Sequence, residues 1–101
     1  MKKMPSEEER LLFEAIRTLQ TPEECASFFE DICTIKELQA MVKRFQIACQ
    51  LDAGKNYNEV GEDTGGSSAT ICRVNKCLHY GTGGYRTAID RLKKAGKLPN
   101  E

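Results

Sequence analysis

The chain has 101 residues, with 15 basic and 15 acidic side chains and one histidine, so its formal charge at neutral pH is zero. That length suits a single domain over 1–101 with a modest core, of the kind often completed by pairing, and 40% hydrophobic against 30% charged residues is an ordinary soluble composition. No apolar run approaches the roughly 20 residues of a membrane span, residues 1–10 lack the apolar stretch of a signal peptide, and five cysteines without a C-x-x-C pair give no support to a zinc site.

These exclusions predict a cytoplasmic protein whose thiols are buried and reduced. Charge is unevenly distributed. Residues 1–33 carry four basic and eight acidic side chains, whereas residues 67–101 carry seven basic and two acidic ones. An acidic frame followed by a basic working end is the pattern expected of a chain that meets a polyanion.

Residues 1 to about 5 are expected to be disordered. Ser6 then caps a first helix over about 6–20, with Glu7, Glu8 and Glu9 at its positive end. Leu11, Leu12, Ala15, Ile16 and Leu19 recur at helical spacing along it. Thr21 and Pro22 are a cap and a first-turn proline, and Glu24 is placed to complete a capping box. A second helix over about 22–32 follows, with Cys25, Phe28, Phe29 and Ile32 on its apolar face.

Thr34 and Glu37 open the third and longest helix, about 35–53, which Gly54 ends. Ile35, Leu38, Val42, Phe45 and Cys49 follow the seam spacing of a packed helix pair. Met41, Ile47, Ala48 and Leu51 widen the stripe to a second face. A helix apolar on two faces needs two neighbours, and in so short a chain the second is expected to be another subunit. Further on, three glycines among residues 81–84 break the chain before a last helix over about 85–95, where Tyr85, Ala88, Ile89 and Leu92 lie among Arg86, Arg91, Lys93 and Lys94. Gly96 stops it, and residues 97–101 are expected to form a disordered tail. No segment has strand periodicity, so the fold class is all-α.

Between these helices lies the stretch that carries chemistry. Residues 56–78, NYNEVGEDTGGSSATICRVNKCL, read as two short helices joined by a glycine turn. Val60 supplies the core-facing residue of the first, Gly61 the small residue where the pair crosses, and Gly65 the turn residue at positive φ. Ile71, Val74 and Leu78 form the buried side of the second helix, which Ser67 or Ser68 caps. Its outward face then carries Ser67, Ser68, Ala69, Thr70, Cys72, Arg73 and Lys76, short side chains followed by basic ones, as suits a helix entering a major groove N-terminal end first.

Against that stand Thr64 and Gly66, at positions more often apolar, a turn loosened by adjacent glycines, and Glu59, Glu62 and Asp63 on the first helix. The plain alternative is a helical hairpin in a protein-interaction module that does not read DNA, and RNA binding is a third reading. The Gly65–Ser68 run lacks the spacing of a phosphate loop, and Cys77 with His79 makes no catalytic constellation, so no enzyme activity is expected.

The segment TGGSSATICRVNKCL, Thr64 to Leu78, resembles the helix-turn-helix of the Trp repressor, and NKCLHYGTGGYRTAIDRL resembles the related YerC/YecD branch. The resemblance covers roughly residues 30–93. It implies a six-helix Trp-repressor-like fold, an intertwined homodimer, and a near-palindromic operator of double-stranded DNA bound through two reader heads about one helical turn apart. Carried over residue by residue, it places Arg44 and Arg73, with Thr34 and Thr70, around an effector pocket. Val74 stands where the repressor has a glycine, and Cys77 replaces a serine. A valine there fills space that an indole needs, so tryptophan is not expected as a cofactor and the effector, if any, is left open.

Overall fold

The computed structural model describes residues 4–99. Six α-helices follow one another: α1 Glu7–Arg17, α2 Pro22–Ile32, α3 Ile35–Asp52, α4 Tyr57–Thr64, α5 Ser68–Tyr80 and α6 Gly84–Lys94. No strand occurs among the described residues. The chain groups into two compact units, residues 1–39 and 40–101.

In the first unit the helix starts are set by side chains written into the sequence. Ser6 and Glu9 form a reciprocal capping box at α1, each side chain taking the other's backbone N–H. At α2 the Thr21 hydroxyl accepts from Glu24 N, but the Glu24 carboxylate accepts from Gln20 N rather than from Thr21. The expected box is therefore half formed, its second bond displaced by one residue. The first helix ends at Arg17 rather than near 20, because the Thr18 hydroxyl and backbone N–H both turn back onto Ala15 O. Neither α1 nor α2 has a buried residue. Leu11, Phe13 and Ile32 are exposed in the isolated chain, although α1 is strongly amphipathic.

Thr34 and Glu37 make the reciprocal box at the start of α3. Its C-terminus closes through Gly54 N to Leu51 O and Lys55 N to Gln50 O, the bond pair of a Schellman ending. In the single chain the two expected faces of this helix are covered unequally. Ile35 and Val42 are 76% and 60% exposed, whereas Ile47 and Ala48, placed on the second face, are fully buried.

The second unit holds the core. Ile47, Ala48, Val60, Ile71, Val74, Leu78 and Ile89 are buried together, drawing on α3, α4, α5 and α6, with Phe45, Cys49, Leu51, Tyr85 and Leu98 packed around them. Phe45 and Tyr85 stack at 6.4 Å between centroids. Eight residues are too few for α4 to stand alone. Burial of Val60, worth about 1.5–3 kcal/mol, and an Asn56–Glu59 capping box hold it in place.

Charges tie α6 to the end of α3. Asp52 accepts from Arg86 at 2.6 Å and from Lys93 at 2.7 Å, with its side chain only 10% exposed. The Lys93 bond, then Arg86, holds the Asp52 carboxyl below the usual carboxylate range against the opposing effect of burial. The neighbouring Cys49 thiol is pushed up by burial and by Asp52.

Two expectations need correction here. The tail is not disordered from residue 97: Lys97 N bonds Leu92 O, and Leu98 folds back onto the core. Residues 1–3 and 100–101, also expected to be disordered, lie outside the described residues. The cysteines are not buried. All five are free; Cys25, Cys33 and Cys49 are half-buried, and Cys72 and Cys77 are exposed because the core takes the opposite side of α5.

Candidate nucleic-acid interface

The turn between α4 and α5 begins at Gly65, which caps α4 in the left-handed region at φ 72° and returns its N–H to Gly61 O. A side chain there is strained, which accounts for glycine. The next residue is glycine for a different reason. A Cβ on Gly66 would stand 2.8 Å from the terminal methyl of Ile47 and 3.2 Å from the Thr64 hydroxyl. Gly61, expected at a tight crossing, is less confined: a Cβ there would meet Ile71 at an ordinary contact distance of 3.7 Å. The close approach has moved from the helix into the turn.

Thr64 explains why two glycines do not leave the turn loose. Its hydroxyl donates to Val60 O at 2.7 Å and accepts from Gly66 N at 3.1 Å. One side chain therefore satisfies a half-buried N–H and ties the turn to the last residues of α4. An apolar residue at 64 could pack but could not bridge.

Ser67 is the cap of α5, its hydroxyl accepting from Thr70 N at 3.1 Å and lying 3.0 Å from Thr70 Oγ1. Ser68 is consequently the first helical residue. Ile71, Val74 and Leu78 face the core, which leaves Ser68, Ala69, Cys72, Arg73 and Lys76 exposed, with Thr70 half-buried at the edge. Sequence reading thus separates the two sides of α5 as the structure does. Its N-terminal turn presents small and hydroxyl side chains, and its next turn presents cations. No carboxylate pairs with Arg73 or Lys76 among the described residues.

The acids on α4 are largely occupied. Glu59 is spent in the capping box with Asn56, and Asp63 is paired with Lys55 at 2.9 Å. Asp63 raises the Lys55 pKa above the usual lysine range. Among the described residues, Glu62 is the one acid on that helix without a bonded partner.

Lys43 was not legible as part of this surface. Its ammonium lies 3.7 Å from the point where a Gly65 Cβ would stand, over the turn and beside the negative end of α4. Nothing in the spacing of residue 43 from residue 65 signals this; the packing of α3 against the turn creates it.

The residues of the expected effector pocket are placed as follows. Thr34 serves as the cap of α3. Arg44, Arg73 and Cys77 are exposed, and Thr70 is half-buried. Val74 is 1% exposed and its side chain is part of the core. No group of three or more His, Cys, Asp or Glu side chains is placed to hold a metal among the described residues. A cavity of about 270 Å³ lies between the end of α3 and α6, lined by Cys49, Ile89 and Leu98 with Asp52, Lys55 and Lys93. Its charged groups are already engaged in ion pairs.

Comparison with known proteins places the chain by family and fold. The Trp repressor protein family matches over residues 7–93. The protein YerC of Bacillus subtilis strain 168 is 45% identical over 83 residues, 82% of this chain and 80% of its own length. A crystal structure of a TrpR-like protein from Eubacterium eligens ATCC 27750 is 38% identical, covers 94% of this chain and 95% of that one, and superposes with a TM-score of 0.84. A candidate Trp repressor from Staphylococcus aureus is 39% identical, covers 83% and 84% of the two chains, and superposes with a TM-score of 0.80. A match running from the first turn of α1 to within one residue of the end of α6 shows that the chain belongs to the Trp repressor protein family.

Proposed function

We propose that this protein is a DNA-binding regulator that reads a near-palindromic operator as a homodimer, placing α5 of each subunit in a major groove. The observation that carries the reading is the exposed face of α5, where Ser68, Ala69 and Cys72 lead into unpaired Arg73 and Lys76 on a helix locked to the core. Short side chains let the helix approach the base edges. Arg73 can pair with a guanine edge or a phosphate, and Lys76 with a phosphate. Lys43 adds a cation over the turn, where a backbone phosphate would pass.

The homodimer is supported by what the isolated chain leaves uncovered. Leu11, Phe13 and Ile32 are exposed on helices with no buried residue, and Ile35 and Val42 are exposed on α3. Tryptophan is not the effector in this reading, because the Val74 side chain occupies the core side of α5.

Selection of bound duplexes from a random pool tests the proposal. Enrichment of a two-fold symmetric site, with affinity that falls steeply as salt rises, is the expected result. An intact dimer that enriches no sequence at low salt would overturn DNA reading. Stable capture of structured RNA in preference to duplex would redirect it.

A further inference from the structure

We propose that Thr64 is a positioning residue for DNA reading: its hydroxyl fixes the angle at which α5 leaves α4. The inference rests on the DNA-reading assignment above and concerns a residue outside the reading face. The joint between the two helices is Gly65–Gly66, whose backbone is freer than that of any other residue pair. Beside the core packing of Ile71, Val74 and Leu78 against Val60, three hydrogen bonds restrain it. Gly65 N–H bonds Gly61 O, Gly66 N–H bonds the Thr64 hydroxyl, and that hydroxyl in turn donates to Val60 O. The first is an ordinary helix-end bond. The other two pass through one oxygen atom, which accepts from one side of the turn and donates to the other. Ile47 blocks the remaining space around Gly66, so the turn is held by hydrogen bonding on one side and by packing on the other.

The geometry sets the size of the effect. Arg73 lies six residues beyond Ser67, about 9 Å along the α5 axis at 1.5 Å per residue. A change of about 10° at the turn moves it by about 1.6 Å, well beyond the roughly 0.5 Å within which a recognition group must be held. Removing the hydroxyl leaves the Gly66 N–H half-buried with no partner and leaves the start of α5 held by side-chain packing alone, so that small rotations about the turn become accessible. The side chain's shape is not what matters: serine retains the bridge and valine retains only the bulk.

The test compares wild type, Thr64→Val and Thr64→Ser on the duplex recovered from the selection and on a scrambled duplex, well below each variant's melting temperature. The expected result is a loss of about tenfold in the selected-to-scrambled affinity ratio for valine, with serine close to wild type. In parallel, amide exchange at Gly66 in the free protein should accelerate for valine and not for serine. A purely structural role would lower the melting temperature and leave the ratio unchanged. Should the valine variant not fold, Thr64→Ala provides the same comparison. An unchanged ratio with wild-type exchange at Gly66 would overturn the role of Thr64 while leaving DNA reading intact. Failure of the wild-type protein to select any duplex would instead overturn DNA reading, and this role with it.

Discussion

The terminal methyl of Ile47 sits 2.8 Å from where a Cβ on Gly66 would be, so a fully buried residue of α3 and the backbone of the α4–α5 turn occupy adjoining space with none to spare. The core and the turn therefore constrain each other. Gly66 adds no side chain, and Ile47 fills the volume that this leaves.

We expect Gly66→Ala to destabilise the protein by about 1–3 kcal/mol through overpacking, although glycine-to-alanine changes at open sites stabilise by about 0.4–1 kcal/mol. Ile47→Val removes the conflicting methyl and by itself should cost about 0.5–1.5 kcal/mol. The double variant should cost less than the sum of the two, as measured by urea denaturation. Strict additivity would show that the two residues do not compete for space.

Arg73 is exposed and unpaired, so its loss should not unfold the chain. Arg73→Ala is expected to change stability by no more than about 0.5 kcal/mol. It should weaken duplex binding, and if Arg73 meets a phosphate it should reduce the slope of log affinity against log salt by about 1. Titrations at several salt concentrations, beside a thermal melt, measure both. Undiminished affinity would remove Arg73 from the interface.

The ion cluster at Asp52 predicts a response to acid. Lys93 and Arg86 hold the Asp52 carboxyl below its ordinary pKa, so the folded state binds its proton less readily than the unfolded chain does. The stabilisation is complete above the unfolded value of about 3.9 and is lost as pH falls from there through the lower folded value. Asp52→Asn should therefore melt at a lower temperature at neutral pH and lose less on acidification between about pH 5 and pH 2. Parallel melting curves across that range for both proteins check this. Equal acid sensitivity would mean that the cluster does not couple α3 to α6.

Asn56 caps the shortest helix through Glu59 N and receives the Glu59 carboxylate on its own N–H. Asn56→Ala should cost about 1 kcal/mol, read as a fall in the denaturation midpoint, whereas Asn56→Asp should be close to neutral. A null effect for alanine would place the stability of α4 entirely in the burial of Val60.

A dimer is expected at micromolar concentration, since Leu11 and Ile35 are 74% and 76% exposed in the single chain. Leu11→Glu or Ile35→Glu should shift the mass measured by light scattering or sedimentation toward the monomer. A monomeric wild-type mass would overturn the dimer.

What the sequence by itself determined is local. Helix starts at Ser6, Thr21, Thr34 and Asn56 follow from side chains that bond the backbone within four residues, and the inward and outward sides of α5 follow from a periodicity of three and four. Such information lies within a single helical turn. The C-terminal end of α1 and the chain tail were less legible, because Thr18 N–H turning to Ala15 O and Lys97 N–H turning to Leu92 O are signalled by no nearby side chain. Only the tertiary structure decided the features that join distant residues: Ile47 closing on Gly66, Lys43 overhanging Gly65, and Arg86 and Lys93 meeting at Asp52. Read as a sequence, Thr64 and Gly66 weaken the helix-turn-helix pattern. In the folded chain one supplies the bridge and the other the space, because a close approach between residues 19 apart is fixed by packing and not by any local preference.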